Sequence, residues 1–156
     1  MNLEHLSDAA ELMSDCLRHG GAVHIESVSH YTLYDIDLPG LPVWAKHPKR
    51  YPEPEEIAAA MKPGDVYFEL GYMELRPRFL EAAAKAPGKS IVALCHAPPA
   101  APAGPQPTML LDAQWDSGDA AVSLPGYDVK ILPTSAVLQT AIFRAMIAKA
   151  AALAAK

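Results

Sequence analysis

Two short polar stretches in this chain hold residue types that move protons. Glu26-Ser27-Val28-Ser29-His30 follows the apolar run Ala22-Val23-His24-Ile25, and Gly71-Tyr72-Met73-Glu74-Leu75-Arg76 follows Val66-Tyr67-Phe68-Glu69-Leu70. A histidine or carboxylate held near a reacting group can take a proton from one atom and return it to another. His30, behind two serines at a strand end, is the first candidate base; the alternative is an ordinary loop histidine. Glu26 and Glu74 are candidate acid–base groups or, on the plainer reading, solvated carboxylates. Ser27, Ser29, Gly71 and Tyr72 offer hydroxyl and backbone groups to a ligand lying beside them. His96 follows Cys95 at the end of another strand and could join His30 on a metal. Two histidines without a carboxylate at characteristic spacing do not define such a site, so neither a metal nor a cofactor is expected. His24 lies within its strand and reads as a satisfied structural histidine.

Arg76, with Arg78, stands where a helix begins. A helix N-terminus attracts anions, and a guanidinium can hold a phosphate with two parallel hydrogen bonds. The alternative for Arg76 is a surface charge beside Glu74. Thr134 and Ser135 open the last helix, where they either contact a ligand or cap the free N–H groups of its first turn.

Hydrophobic periodicity supplies the elements that position these residues. Leu3, Leu6, Ala10, Met13, Cys16 and Leu17 share one helical face, and Gly20-Gly21 stops that helix. Ala22-Val23-His24-Ile25 is a first strand, and Pro42-Val43-Trp44-Ala45 a second, with proline at its start. Pro52-Glu53-Pro54-Glu55-Glu56 opens a helix that ends at Lys62-Pro63-Gly64-Asp65. Strand 66–70, helix 76–86, strand 90–95, a proline- and alanine-rich loop over 98–107 and strand 109–112 follow. Short β-like pieces at 120–124 and 128–132 precede the long final helix. Strands separated by helices predict a parallel sheet covered on both faces. The expected fold is therefore α/β: a three-layer αβα sandwich whose five-stranded parallel sheet has the flavodoxin-like order 2-1-3-4-5, in one domain over 1–156. Ligands of such sheets bind beyond the carboxyl ends of the strands, which selects the two polar stretches.

Composition narrows the partners. A hydrophobic fraction of 51% excludes a disordered chain, and a formal charge of -5 gives no electrostatic reason to bind nucleic acid or an anionic membrane. Lys46-His47-Pro48-Lys49-Arg50 reads as a solvated loop. Cys16 and Cys95 lie in apolar stretches with no CxxC pairing, as buried free thiols do. Met1-Asn2-Leu3-Glu4-His5 lacks the basic and apolar regions of a signal peptide, and Arg144 and Lys149 argue against a membrane-spanning final helix. A cytoplasmic protein is expected.

Three segments carry a family likeness: Gly20-Gly21-Ala22-Val23-His24-Ile25; Met61-Lys62-Pro63-Gly64-Asp65-Val66; and Gly118-Asp119-Ala120-Ala121-Val122 with Pro133-Thr134-Ser135-Ala136-Val137. In this order they resemble the sugar isomerase (SIS) domain family, especially its small phosphosugar-binding, phosphoheptose-isomerase-like branch. The resemblance implies a protein that binds a sugar phosphate or related carbohydrate derivative, is akin to aldose–ketose isomerases, and forms a homodimer through helices. The chain departs from the family where its phosphate cradle would be. Glu69-Leu70-Gly71-Tyr72-Met73-Glu74 replaces a serine-rich turn, and its two carboxylates would repel phosphate. Alternative readings are a non-catalytic structural or regulatory dimer, paired through the alanine-rich last helix, and an enzyme of different chemistry using His30 with Glu26 or Glu74.

Overall fold

Val66-Tyr67-Phe68-Glu69-Leu70 is buried at every residue, so the strand must be covered on both sides. Its consecutive rings show how. Tyr67 meets Phe79 of one helix at a centroid separation of 4.5 Å, and Phe68 stacks on Phe143 of another at 6.2 Å. Successive side chains on a strand point to opposite faces, so each ring is met by a helix on its own side.

The computed structural model describes residues 3–27, 53–100, 102–115, 120–123, 125–126 and 130–155. In order these form α1 (Leu3–Arg18), β1 (Val23–Ser27), α2 (Pro54–Ala60), β2 (Val66–Leu70), α3 (Pro77–Lys85), β3 (Lys89–Leu94), β4 (Met109–Asp112), β5 (Ala120–Ser123), β6 (Lys130–Pro133) and α4 (Thr134–Ala154). The fold is α/β with a parallel four-stranded sheet of order β1-β2-β3-β4. β5 and β6 form a separate antiparallel pair, Val122 facing Ile131. The predicted strand at 42–45 lies outside the described residues, as does the basic cluster at 46–50.

Two apolar cores follow from the alternation. Val23, Ile25, Val66, Phe68, Leu70, Ile91, Ala93 and Leu111 meet α1 and α4 through Ala9, Met13, Phe143 and Met146. On the opposite face Tyr67, Val92 and Leu94 meet α2 and α3 through Ile57, Phe79 and Leu80. Burying side chains of this size stabilises by roughly 1.5–3 kcal/mol each.

Turn chemistry sets the lower, amino-terminal end of the sheet. Gly20, at φ +76°, takes the left-handed conformation that ends α1, while Gly20 and Gly21 return N–H groups to Leu17 and Cys16. Asp65, just before β2, accepts from the backbone N–H of Ala22 (2.9 Å) and of Lys62 (2.8 Å). His24 Nε2 lies 3.0 Å from Asp65 Oδ2 in a buried pair. One carboxylate thus ties β1 to β2 and fixes the turn after α2, and His24 is structural, as its place in the strand suggests.

α4 is apolar on nearly every side. Ile142, Phe143, Met146, Ile147 and Ala150 enter the core, while Val137, Ala141, Ala145, Ala148 and Ala152 face outward. By length and composition Ser135–Ala154 is able to cross a bilayer, with a mean hydropathy of 1.4. Its inner side is nonetheless the packing surface of the sheet.

Candidate functional site

β1 and β2 run in parallel with Glu26 opposite Glu69 and His24 opposite Tyr67. Alternation puts all four on the face covered by α2 and α3, near the carboxyl ends of the strands for the two glutamates. The connection after β2 brings Arg76 back over that end. Arg76 Nε donates to Glu69 Oε1 at 2.5 Å, and a terminal nitrogen of the same guanidinium donates to Glu26 Oε1 at 2.5 Å. Tyr67 donates its hydroxyl to Glu26 Oε2 at 2.5 Å. The result is a four-residue cluster of two carboxyls, one guanidinium and one phenol.

Burial is graded across it. The Arg76 side chain is 23% exposed and that of Glu26 12%. Glu69 is 0% exposed, and its Oε2 is closed to solvent with no hydrogen-bond partner among the described residues. Burial pushes the Glu69 carboxyl up to about 7, outweighing Arg76, which favours the charged form; Glu26 and Glu74 add to the rise. Burial and the neighbouring Glu26 raise the Tyr67 phenol well above its ordinary value. For Arg76 burial acts downward, but Glu69 and Glu26 outweigh it, so it stays firmly charged. Such a cluster holds a proton-exchanging carboxyl near neutrality beside a fixed cation, which suits hydrogen bonding to a hydroxyl or movement of a proton.

The structure brings some of the sequence-derived site residues together and separates others. Glu26 is a paired, largely buried group and not a solvated one. Glu74 is exposed. Arg76 bridges two glutamates and does not stand as a surface charge beside Glu74. Ser27 ends β1 but alternates onto the α1–α4 face, away from Glu26. Gly71 has both backbone groups engaged: its N–H donates to Ala93, and its carbonyl accepts from Gln139 of α4 at 2.5 Å. Tyr72, half-buried, accepts the N–H of Cys95 at 2.9 Å. Ser135 is fully buried in the first turn of α4, one residue past its opening Thr134, whose side chain lies outside the described residues. His30 and Ser29 also lie outside the described residues.

At the neighbouring strand ends, Asp112 Oδ1 accepts from the N–H groups of Ala97 (3.0 Å) and Gln114 (2.8 Å). His96 Nδ1 is buried there without a partner among the described residues. Among the described residues no three His, Cys, Asp or Glu side chains are placed to hold a metal ion. A hollow of about 330 Å³ lies at the other end of the sheet, beneath α1, between Asp15, His19 and Lys89. We place the candidate site at the carboxyl end despite that hollow, because there ionisable side chains converge and one buried oxygen lacks a donor.

Sequence reading missed Glu69 and Tyr67 as site residues. The available signal was the position of Glu69: a carboxylate inside an otherwise apolar, fully buried parallel strand needs a partner. No family model matches this chain, and comparison with curated proteins gives no match.

Proposed function

We propose that this chain is a SIS-like protein that binds a carbohydrate derivative at the carboxyl ends of β1 and β2. In this reading the architecture is a three-layer αβα sandwich whose five-stranded parallel sheet has the order 2-1-3-4-5. The reading is supported by the parallel succession β1-β2-β3-β4, with helices on both faces of the sheet. The observation that carries it is the Glu26–Arg76–Glu69 cluster at those strand ends, with one buried carboxyl oxygen lacking a donor. Sugar hydroxyls are donors of the required kind. His30, Ser29, Tyr72 and Glu74 are proposed neighbours of the ligand, and an isomerase-like proton transfer is the chemistry their types suit. We take the protein to be cytoplasmic.

The outward side of α4 favours a second reading, in which the chain is a non-catalytic homodimer. Val137 is 60% exposed, and Ala141, Ala145, Ala148 and Ala152 continue that side, where small residues permit close helix approach.

A thermal-shift screen against sugars, sugar phosphates and nucleotide sugars separates the two. A ligand at a hundredfold excess over its Kd stabilises the native state by about 2.7 kcal/mol, so the binding reading expects a raised melting temperature for one class. A protein that melts cooperatively and is unmoved by every compound sinks that reading. Dimeric sedimentation in the same sample would then leave the non-catalytic dimer in possession.

A further inference from the structure

Arg76 is the cation in contact with the candidate site among the described residues, and its guanidinium is already spent on two carboxylates. Arg78, two residues on, is turned away toward Glu53 and Glu55. Two carboxyls, Glu26 and Glu69, therefore share one guanidinium, and the local charge is negative whenever both are ionised.

Two backbone donors that could offset that charge are missing. A phosphate at a strand end is normally held by N–H groups of the following turn and of the helix it opens. Here the Gly71 N–H is bonded to Ala93. Pro77, the first residue of α3, has no N–H to give, and the residue before it, Arg76, provides no side-chain cap. What the cluster lacks is a donor: Glu69 Oε2 is buried and unpartnered, while both oxygens of Glu26 are engaged.

We infer that the ligand group meeting this cluster is an uncharged hydroxyl of a free sugar or polyol, donating to Glu69, and not a phosphate. The inference rests on the carbohydrate-binding proposal above and names the ligand class within it. Since Oε2 is closed to solvent, the hydroxyl reaches it only as a covering group moves. Arg76 is the member of the cluster most open to solvent.

The test is isothermal titration calorimetry of the whole chain with free aldoses, ketoses and polyols, their 6-phosphates, and inorganic phosphate. The expected result is a neutral sugar or polyol bound at least tenfold more tightly than its 6-phosphate, with no competition from inorganic phosphate. Glu69→Gln should weaken that neutral ligand tenfold or more while still melting cooperatively. A 6-phosphate that binds more tightly than its parent sugar overturns the inference and leaves carbohydrate binding standing. Absence of binding by every compound removes both. Unchanged affinity in Glu69→Gln overturns the role given to its carboxyl. If that variant does not fold, the affinity order in the unaltered protein decides.

Discussion

β1 and β2 carry two buried ionic groups on the same face of the sheet, at opposite ends. At the lower end Asp65 receives the N–H groups of Ala22 and Lys62 and the ring of His24. At the upper end Glu69 receives, among the described residues, only Arg76, on one oxygen. Burial tends to raise both carboxyls. Two backbone N–H donors and His24 overcome it at Asp65, whose carboxyl falls below its ordinary value, whereas Arg76 fails to overcome it at Glu69. The difference lies in the number and kind of donors, since both carboxylates are buried. A closed set of hydrogen bonds makes a carboxylate part of the scaffold, and an incomplete one leaves it responsive.

The largest expected effect breaks the lower end. Asp65→Ala strips an acceptor from two backbone N–H groups and from His24, and should lower the unfolding free energy by about 3–5 kcal/mol in urea titrations at pH 7. The depressed Asp65 carboxyl adds stability that is present above its unfolded value near ~3.9 and lost as pH falls through its native value. The acid limb of the wild-type stability profile should therefore be shallower in the variant. An Asp65→Ala protein as stable as the wild type would mean that the lower cluster does not hold the two strands.

Removal of the cation at the upper end comes next. Arg76→Met leaves Glu26 and Glu69 uncompensated and should cost about 3 kcal/mol at pH 8. The loss should shrink at pH 5, where a raised carboxyl can take up a proton instead. An equal loss at both values would show that Arg76 acts by packing alone.

The smallest effect sharpens the comparison. The raised Glu69 carboxyl contributes stability that is fully present below its unfolded value, near ~4.3, and is lost as pH rises through about 7. Glu69→Gln should flatten that part of the profile, leaving the variant more stable than the wild type at pH 8 by about 2 kcal/mol. Parallel profiles for the two proteins would place the carboxyl's titration outside this window.

These two ends were unequally legible in the sequence. The helices and the strands of the sheet follow from local pattern: apolar spacing from Leu6 to Leu17, Gly20-Gly21 as a stop, Pro54 at a helix start, and apolar runs for β2, interrupted by Glu69, and for β3 from Ile91 on. His24 could be recognised as structural from its place in a strand, but not its partner, which lies 41 residues away. Glu26 and Arg76 were visible as residues at strand and helix ends. Their juxtaposition depends on the register that sets Glu26 opposite Glu69, and on how 71–76 folds back, and neither is encoded by a local period. Arg76 itself illustrates the gap. A guanidinium at a helix start offers itself to an anion, and whether that anion is a ligand or the protein's own carboxylates is a tertiary fact. Likewise 120–124 and 128–132 read as β-like pieces, while the antiparallel pairing of Ala120–Ser123 with Lys130–Pro133 is not local information.

One bond ties α4 to the connection that follows β2. Gln139, buried on α4, donates to the carbonyl of Gly71, the first residue of the connection that leads to Arg76. A shift of α4 by even about an ångström would have to stretch that bond past hydrogen-bonding distance or carry Gly71 along with it. Pressure on the alanine side of the helix would thus be felt, by simple mechanics, at the far side of the sheet.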